Sequence, residues 1–359
     1  MKFSNIERKL AARDRLNRKE IEFLLSTPEH LLDIASHAAK IKKAKFGGKV
    51  FYGNNLNINP TNICETRCPL CAFSRDKNDP DAYCHTVDAV LERIRTFIPQ
   101  GLLEVHIVGG LYDKLKLDYY ETLLQEIKKL EPSLYIQAFT AVEIDYFARL
   151  NGLTARKTLG RLKDAGLDSM PGGGAEIFSP KVRKIIAPEK INAKRYLEIM
   201  KIAHEMDIRT NVTMLYGHVE TRADMADHLV RIRDFQDESG GVMTFVPLAF
   251  HGKNTRITQA TELASGALDL AVLAVARIAL DNVPHIKSLW TYLGRKMTQV
   301  ALEFGADDIG ATALDERIAA SAGAVSDNDC RPEDLKDLII EAGLTPILCD
   351  SGYNLRKER

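Results

Sequence analysis

From Val50 onward, short apolar runs of strand length alternate with longer stretches whose apolar residues recur every three or four positions. The short runs predict strands at 56–59, 103–108, 134–139, 167–170, 210–215, 243–248, 285–289 and 307–310. The longer stretches predict helices over 86–97, 119–130, 142–150 with 155–165, 193–206, 222–237, 265–281 and 292–304. Eight strands separated by helices is the pattern of an α/β chain folded as a parallel (β/α)8-type TIM barrel. A doubly wound open sheet competes, but no G-x-G-x-x-G run follows the first strand.

Residues 1–48 read as helices, an N-terminal extension covering one end of the core. Asn17 with Glu20 resembles a capping box, and Thr27-Pro28 places an N-cap before a proline at the first helical position. Gly47-Gly48 ends the run. The barrel then spans 49–315, and a tail over 316–359 carries a helix at 332–342 and a strand at 345–349.

Composition narrows the function classes. The 359 residues carry 49 basic and 49 acidic side chains, so no global field favours nucleic acid or an anionic membrane. No apolar run of about 18 residues spans a membrane, and the N-terminus shows no export signal. Cys84, Cys330 and Cys349 are scattered, no disulfide framework, which suits a reducing cytoplasm.

The other three of the six cysteines, Cys64, Cys68 and Cys71, fall inside eight residues as C-x3-C-x2-C directly after the first predicted strand. Thiols this close converge on one centre when the backbone loops around it. Zinc takes a fourth ligand, with Cys84 and His85 the next in sequence. A 4Fe–4S cluster held by three thiolates keeps one iron open. In a barrel, chemistry sits at the C-terminal ends of the strands. Gly109-Gly110, Thr140-Ala141-Val142-Glu143, Pro171-Gly172-Gly173-Gly174-Ala175-Glu176, Tyr216-Gly217-His218-Val219-Glu220 and Phe250-His251 all fall there.

The cysteine run followed by Ala72-Phe73 resembles the signature of the radical S-adenosylmethionine (SAM) superfamily. That resemblance implies Cys64, Cys68 and Cys71 as cluster ligands, with SAM chelated on the fourth iron. It implies SAM contacts at Phe73, at the Gly109-Gly110 backbone (where Leu111 replaces the family's glutamate), at Glu176 through ribose, at Arg195 through the carboxylate, and at Tyr216. Residues 50 to 260, through the runs 138–145, 167–178 and 214–218, are similar to the aminofutalosine synthase family of the futalosine route to menaquinone. The sister family carries a Ser-Pro-Pro-Glu type run where this chain has Thr140-Ala141-Val142-Glu143. The implied reaction adds a 5′-deoxyadenosyl group, with SAM consumed as co-substrate, to an enol-ether benzoate bearing two carboxylates. An electron donor such as flavodoxin or ferredoxin is implied as partner. Arginines give bidentate fits to carboxylates, so substrate candidates are Arg75, Arg183, His218, His251 and the backbone of Gly173 and Gly174. His218 and Tyr216 face either the adenine pocket or the substrate. No acid or base is named, since radical addition need not use one.

Overall fold

The computed structural model describes residues 1–258, 264–324 and 330–356. Its strands are β1 (Lys49–Gly53), β2 (Asn55–Ile58), β3 (Glu104–Ile107), β4 (Tyr135–Ala138), β5 (Ser169–Met170), β6 (Arg209–Tyr216), β7 (Val242–Ala249), β8 (His285–Ile286), β9 (Asp308–Ala311) and β10 (Thr345–Leu348). Strands β2 to β8 form one parallel seven-stranded sheet in strict chain order. A doubly wound sheet reverses its order at the middle; this one does not, and it curls into the barrel expected.

The eighth expected strand, β9, departs from the simple ring. It pairs with β1, which also pairs with β10, in a separate three-stranded parallel sheet. Isolated bridges from Asp308 to Lys287 and from Leu314 to Leu56 join its two ends to the edges of the large sheet. The barrel is therefore closed by single bridges instead of a continuous ladder. β1 was not anticipated: both its partners lie at the far end of the chain, so nothing local marks it.

Helices form where the apolar stripe predicts them. In Val87–Phe97 the stripe Val90, Leu91 and Ile94 is buried, and Thr86 accepts the Ala89 N–H at 3.2 Å. The stretch expected as one helix over 292–304 breaks at Gly294 (φ 77°), giving Trp290–Leu293 and Arg295–Ala301. A short helix at Pro180–Ile186 follows the triple-glycine loop and was not anticipated.

At the N-terminus the Asn17–Glu20 capping box is present in both directions, at 3.1 and 2.8 Å. Thr27 does not cap; its hydroxyl donates back to the Phe23 carbonyl at 2.8 Å, while Pro28 opens a single 3-10 turn. The helices Arg18–Leu25 and Leu31–Phe46 pack along Arg222–Ser239 and Gly266–Ala279, so the extension lies on the barrel's flank. It reaches the N-terminal ends of the strands through Phe46, whose ring stacks on His285.

The C-terminal segment crosses the same end of the barrel. Ser351 donates through its N–H and hydroxyl to Glu104 at 2.6 and 2.8 Å. Tyr353 donates to Asp308 at 2.6 Å and stacks on His285 at 3.5 Å. No helix of the described residues is long and apolar enough to cross a membrane.

Candidate active site

A cavity of about 380 Å³ opens at the C-terminal ends of the strands and runs down the barrel to Glu104, Lys287 and Ser351. Cys64, Cys68 and Cys71 all line it, whereas Cys84, Cys330 and Cys349 do not. None of the six cysteines is in a disulfide.

The cysteine loop is held by backbone pairing on both flanks. Cys64 N–H donates to Arg75 at 3.1 Å and Arg75 N–H to Asn62 at 2.8 Å. Between them Cys71 N–H closes a turn on Cys68 at 3.0 Å. From outside, Leu70 N–H donates to Ile186 at 3.2 Å and Arg256 N–H to Pro69 at 2.8 Å. A donor set of three thiols on one loop, with no fourth cysteine on the cavity wall, fits a 4Fe–4S cluster with three protein ligands. A single zinc ion would need a fourth ligand from outside the loop.

Gly109 and Gly110 set the distance between this loop and β3. A Cβ on Gly110 would lie 2.0 Å from the Ile63 carbonyl oxygen. Gly110 N–H donates to Thr61 at 2.9 Å, and Gly109 N–H to the Glu143 carboxylate at 3.0 Å. Glu143 also receives the Thr140 N–H at 2.7 Å in the capping box of helix Ala141–Leu150. Burial pushes this carboxyl up to about 7 against those donors. Thr140 and Glu143 both line the cavity.

The triple-glycine loop packs as closely. A Cβ on Gly172 would meet the Val212 backbone at 2.6 Å, and Gly174 stands at φ 90° against Val142. Glu176, itself at φ 47°, turns its carboxylate into the cavity, where Lys190 donates to it at 2.6 Å. Burial opposes ionisation of Glu176, but Lys190 outweighs it and holds the carboxylate below its ordinary range. Lys190 also offsets part of the burial that raises the Cys68 thiol.

Of the residues expected to bind SAM, the structure brings Phe73, Gly109, Gly110 and Glu176 to the cavity. Tyr216 is fully buried behind the wall, its hydroxyl donating to Asp269 at 2.7 Å. Arg195 reaches across to Asp145 of helix Ala141–Leu150 at 2.8 Å and along its own helix to Glu198.

Among expected substrate residues, Gly173 and Gly174 line the cavity. The arginines do not. Arg75 braces its own loop, donating to Asp81 at 2.7 Å and to the Ala72 carbonyl at 2.9 Å. Arg183 is buried with its guanidinium on the carbonyls of Gly174, Ala175, Ile177 and Ile191, so it shapes the glycine loop from behind. His218 is buried, with Nε2 facing the Leu215 carbonyl at 3.1 Å and Nδ1 at Glu220. His251 stands behind Tyr292, Nε2 at 3.0 Å from its carbonyl; Tyr292 is the one that lines the cavity.

The wall's cations are not among the residues expected from the sequence. No arginine lines the cavity among the described residues; Lys190 and Lys287 do. Neither stands in a motif. A fainter signal was present in Asn55-Leu56-Asn57-Ile58-Asn59, where asparagine repeats with the period of a strand face. Those three side chains, with His106, Gln137 and Asn211, line the cavity.

Residues 58–232 match the model of the Radical SAM superfamily, and residues 239–359 that of the CofH/MqnC C-terminal region. An aminodeoxyfutalosine synthase of Thermus thermophilus is 40% identical over 87% of this chain and 85% of its own length. One from Streptomyces coelicolor is 35% identical over 98% and 94%. A 5-amino-6-(D-ribitylamino)uracil--L-tyrosine 4-hydroxyphenyl transferase of Methanopyrus kandleri is 42% identical over 87% and 85%. In fold, the crystal structure of methylornithine synthase superposes with a TM-score of 0.75 at 16% identity, covering 94% of this chain and 96% of that one. With three free thiols on one wall of the barrel mouth and relatives this similar over most of its length, the chain belongs to the radical SAM superfamily, whose members use a 4Fe–4S cluster and SAM.

Proposed function

We propose that this protein is an aminodeoxyfutalosine synthase, a transferase that adds the 5′-deoxyadenosyl group of SAM to 3-[(1-carboxyvinyl)oxy]benzoate with loss of a carboxyl group. The observation that carries this reading is one cavity in which the three thiols, the two glycine turns and two lysines converge. When bound, the cluster and SAM supply the adenosyl radical. The chain's own residues bind, orient and exclude water. Cys64, Cys68 and Cys71 would hold the cluster, and Glu176, steadied by Lys190, presents a carboxylate suited to ribose hydroxyls. Addition needs the double bond held at near-contact distance from C5′, and the close-packed glycines let ligand and backbone approach. A substrate with two carboxylates matches a cavity whose only lysines or arginines, among the described residues, are Lys190 and Lys287. Flavodoxin or ferredoxin in a reducing cytoplasm would deliver the electron.

A second reading is favoured by a relative named a hydroxyphenyl transferase at 42% identity, against 40% for the Thermus synthase, and by the amide-rich wall of Asn57, Gln137 and Asn211. Anaerobic incubation of cluster-loaded enzyme with reductant, SAM and each substrate pair separates them by product mass. A covalent adenosyl adduct short of one carboxyl group, with little free 5′-deoxyadenosine, is the expected result. Free 5′-deoxyadenosine together with a ribitylaminouracil–hydroxyphenyl adduct would overturn it in favour of the second reading.

A further inference from the structure

Beneath the thiols and glycines, the cavity ends on side chains that neither the cluster nor SAM accounts for. Lys287 follows β8 and contacts Asp308 at 3.2 Å, with its side chain 13% exposed. An ammonium has three N–H donors, and Asp308 is its single ion-pair partner among the described residues. The nearby carboxylates are already engaged: Glu104 by both Ser351 donors, Asp308 by Tyr353 and the Gly310 N–H.

Next to this lysine runs a chain of hydrogen bonds across four strands, β3 to β6. His106 Nδ1 lies 3.1 Å from Gln137 Oε1, Asn211 Nδ2 lies 3.5 Å from the same oxygen, and Gln137 Nε2 lies 3.2 Å from Ser169 Oγ. Gln137 and Asn211 are at least nine-tenths buried, at 3% and 5% exposure. Yet Asn211 Oδ1 has no partner, although Asn211 lines the cavity. A buried amide oxygen without a donor keeps its desolvation cost uncompensated, so this position asks for a ligand.

The chain has two self-consistent settings. As placed, His106 and Asn211 both donate to Gln137 Oε1, which leaves His106 Nε2 and Asn211 Oδ1 as acceptors. Turning over both amides and moving the imidazole proton to Nε2 reverses every bond. The two N–H groups of Gln137 then serve His106 Nδ1 and Asn211 Oδ1, while Ser169 donates to Gln137 Oε1. His106 Nε2–H and the Asn211 amide become donors. Amide orientation and histidine tautomer are set by such networks, so a ligand chooses between the settings. Burial holds His106 neutral, at about 4, which leaves both tautomers open to it.

We propose that this floor is the subsite for the ring carboxylate of the substrate, with Lys287 supplying charge and His106 and Asn211 supplying two N–H donors in the reversed setting. Val246, Leu248 and Leu289 line the cavity on the β7–β8 side. They form an apolar wall for the aromatic ring, while the vinyl end reaches up toward the thiols. The inference rests on the synthase reading above.

The test measures equilibrium binding to the cluster-loaded, unreduced enzyme with SAM present, so that no turnover occurs. The probes are 3-[(1-carboxyvinyl)oxy]benzoate and its ring carboxamide. Wild type is expected to prefer the carboxylate by about 100-fold, the scale of losing one partner of a desolvated charge pair. K287M should lose that preference, K287R should recover part of it, and N211L should weaken carboxylate binding about 10-fold. SAM affinity and melting temperature serve as fold controls for the variants, and the carboxamide comparison in wild type needs no variant. If wild type turns over the benzoate but binds both probes alike, or K287M keeps the preference, the subsite is elsewhere and the synthase reading stands. If wild type neither binds nor turns over the benzoate, both fall together.

Discussion

At the mouth of the cavity Gly110, Gly172 and Gly174 leave no space for a methyl group, whereas at its floor Asn57, His106, Gln137, Asn211 and Lys287 fill the barrel with polar side chains. The mouth works through backbone: glycine turns, N–H donors and thiols on one loop, set by close approach of main chain to main chain. The floor works through side chains contributed singly by separate strands. On the proposed reading, the contrast separates holding cluster and SAM from selecting substrate. The thiols and glycine turns sit on contiguous loops, and the polar side chains of the proposed substrate subsite sit on dispersed positions facing inward.

Breaking the mouth should give the largest effects. C68S is expected to abolish iron retention and activity together, read by iron content and the brown chromophore. C84S, whose thiol is off the cavity, should keep both. Full iron in C68S would remove the cluster from this wall. G110A should follow, because a Cβ 2.0 Å from the Ile63 carbonyl must displace the cysteine loop. A loss of about 3 kcal/mol in unfolding free energy, with partial loss of iron after anaerobic reconstitution, is the expected outcome.

The two cations near Glu176 and Asp145 sharpen the contrast further. K190M leaves the Glu176 carboxylate buried without its ion pair and should cost about 3 kcal/mol. R195M removes an outward pair to Asp145, which Arg149 still serves at 3.0 Å, so stability should change by less than about 1 kcal/mol. SAM affinity in R195M is expected to stay within about two-fold, measured by equilibrium dialysis. A tenfold loss there would return Arg195 to the SAM site.

The floor offers a test through pH. Burial lifts the Glu104 carboxyl from its ordinary 4.5 to about 7. The folded protein thus keeps a proton that the unfolded chain releases as pH rises through this window. The group's contribution is full below about 4.5 and is lost as pH rises to about 7. E104Q does not titrate, so its stability should fall less between pH 5 and 7.5, by about 2 kcal/mol, in denaturant unfolding at each pH. Parallel pH profiles would mean that Ser351 and Lys287 keep Glu104 ionised.

The succession of strands and helices, the C-x3-C-x2-C loop and the glycine runs were legible because each is a local pattern: a period, a spacing, a contiguous motif. Strand-end placement alone then puts Cys64, Gly109, Thr140, Gly173 and Glu176 on one face. Helix-borne and loop-borne arginines could not be placed in that way. Arg75, Arg183 and Arg195 have the chemistry for carboxylates, but whether a long side chain turns inward depends on the neighbouring carbonyls and carboxylates that capture it. β1 was invisible for a related reason, since its partners β9 and β10 lie some 250 residues or more downstream. Lys190, Lys287 and the His106–Gln137–Asn211 chain acquire meaning only when separate strands set them side by side. The sequence by itself determined the barrel and the cofactor chemistry, because those are written in short-range periods and spacings. Tertiary structure alone decided which polar groups meet inside the barrel, because such meetings are contacts between residues far apart in the chain.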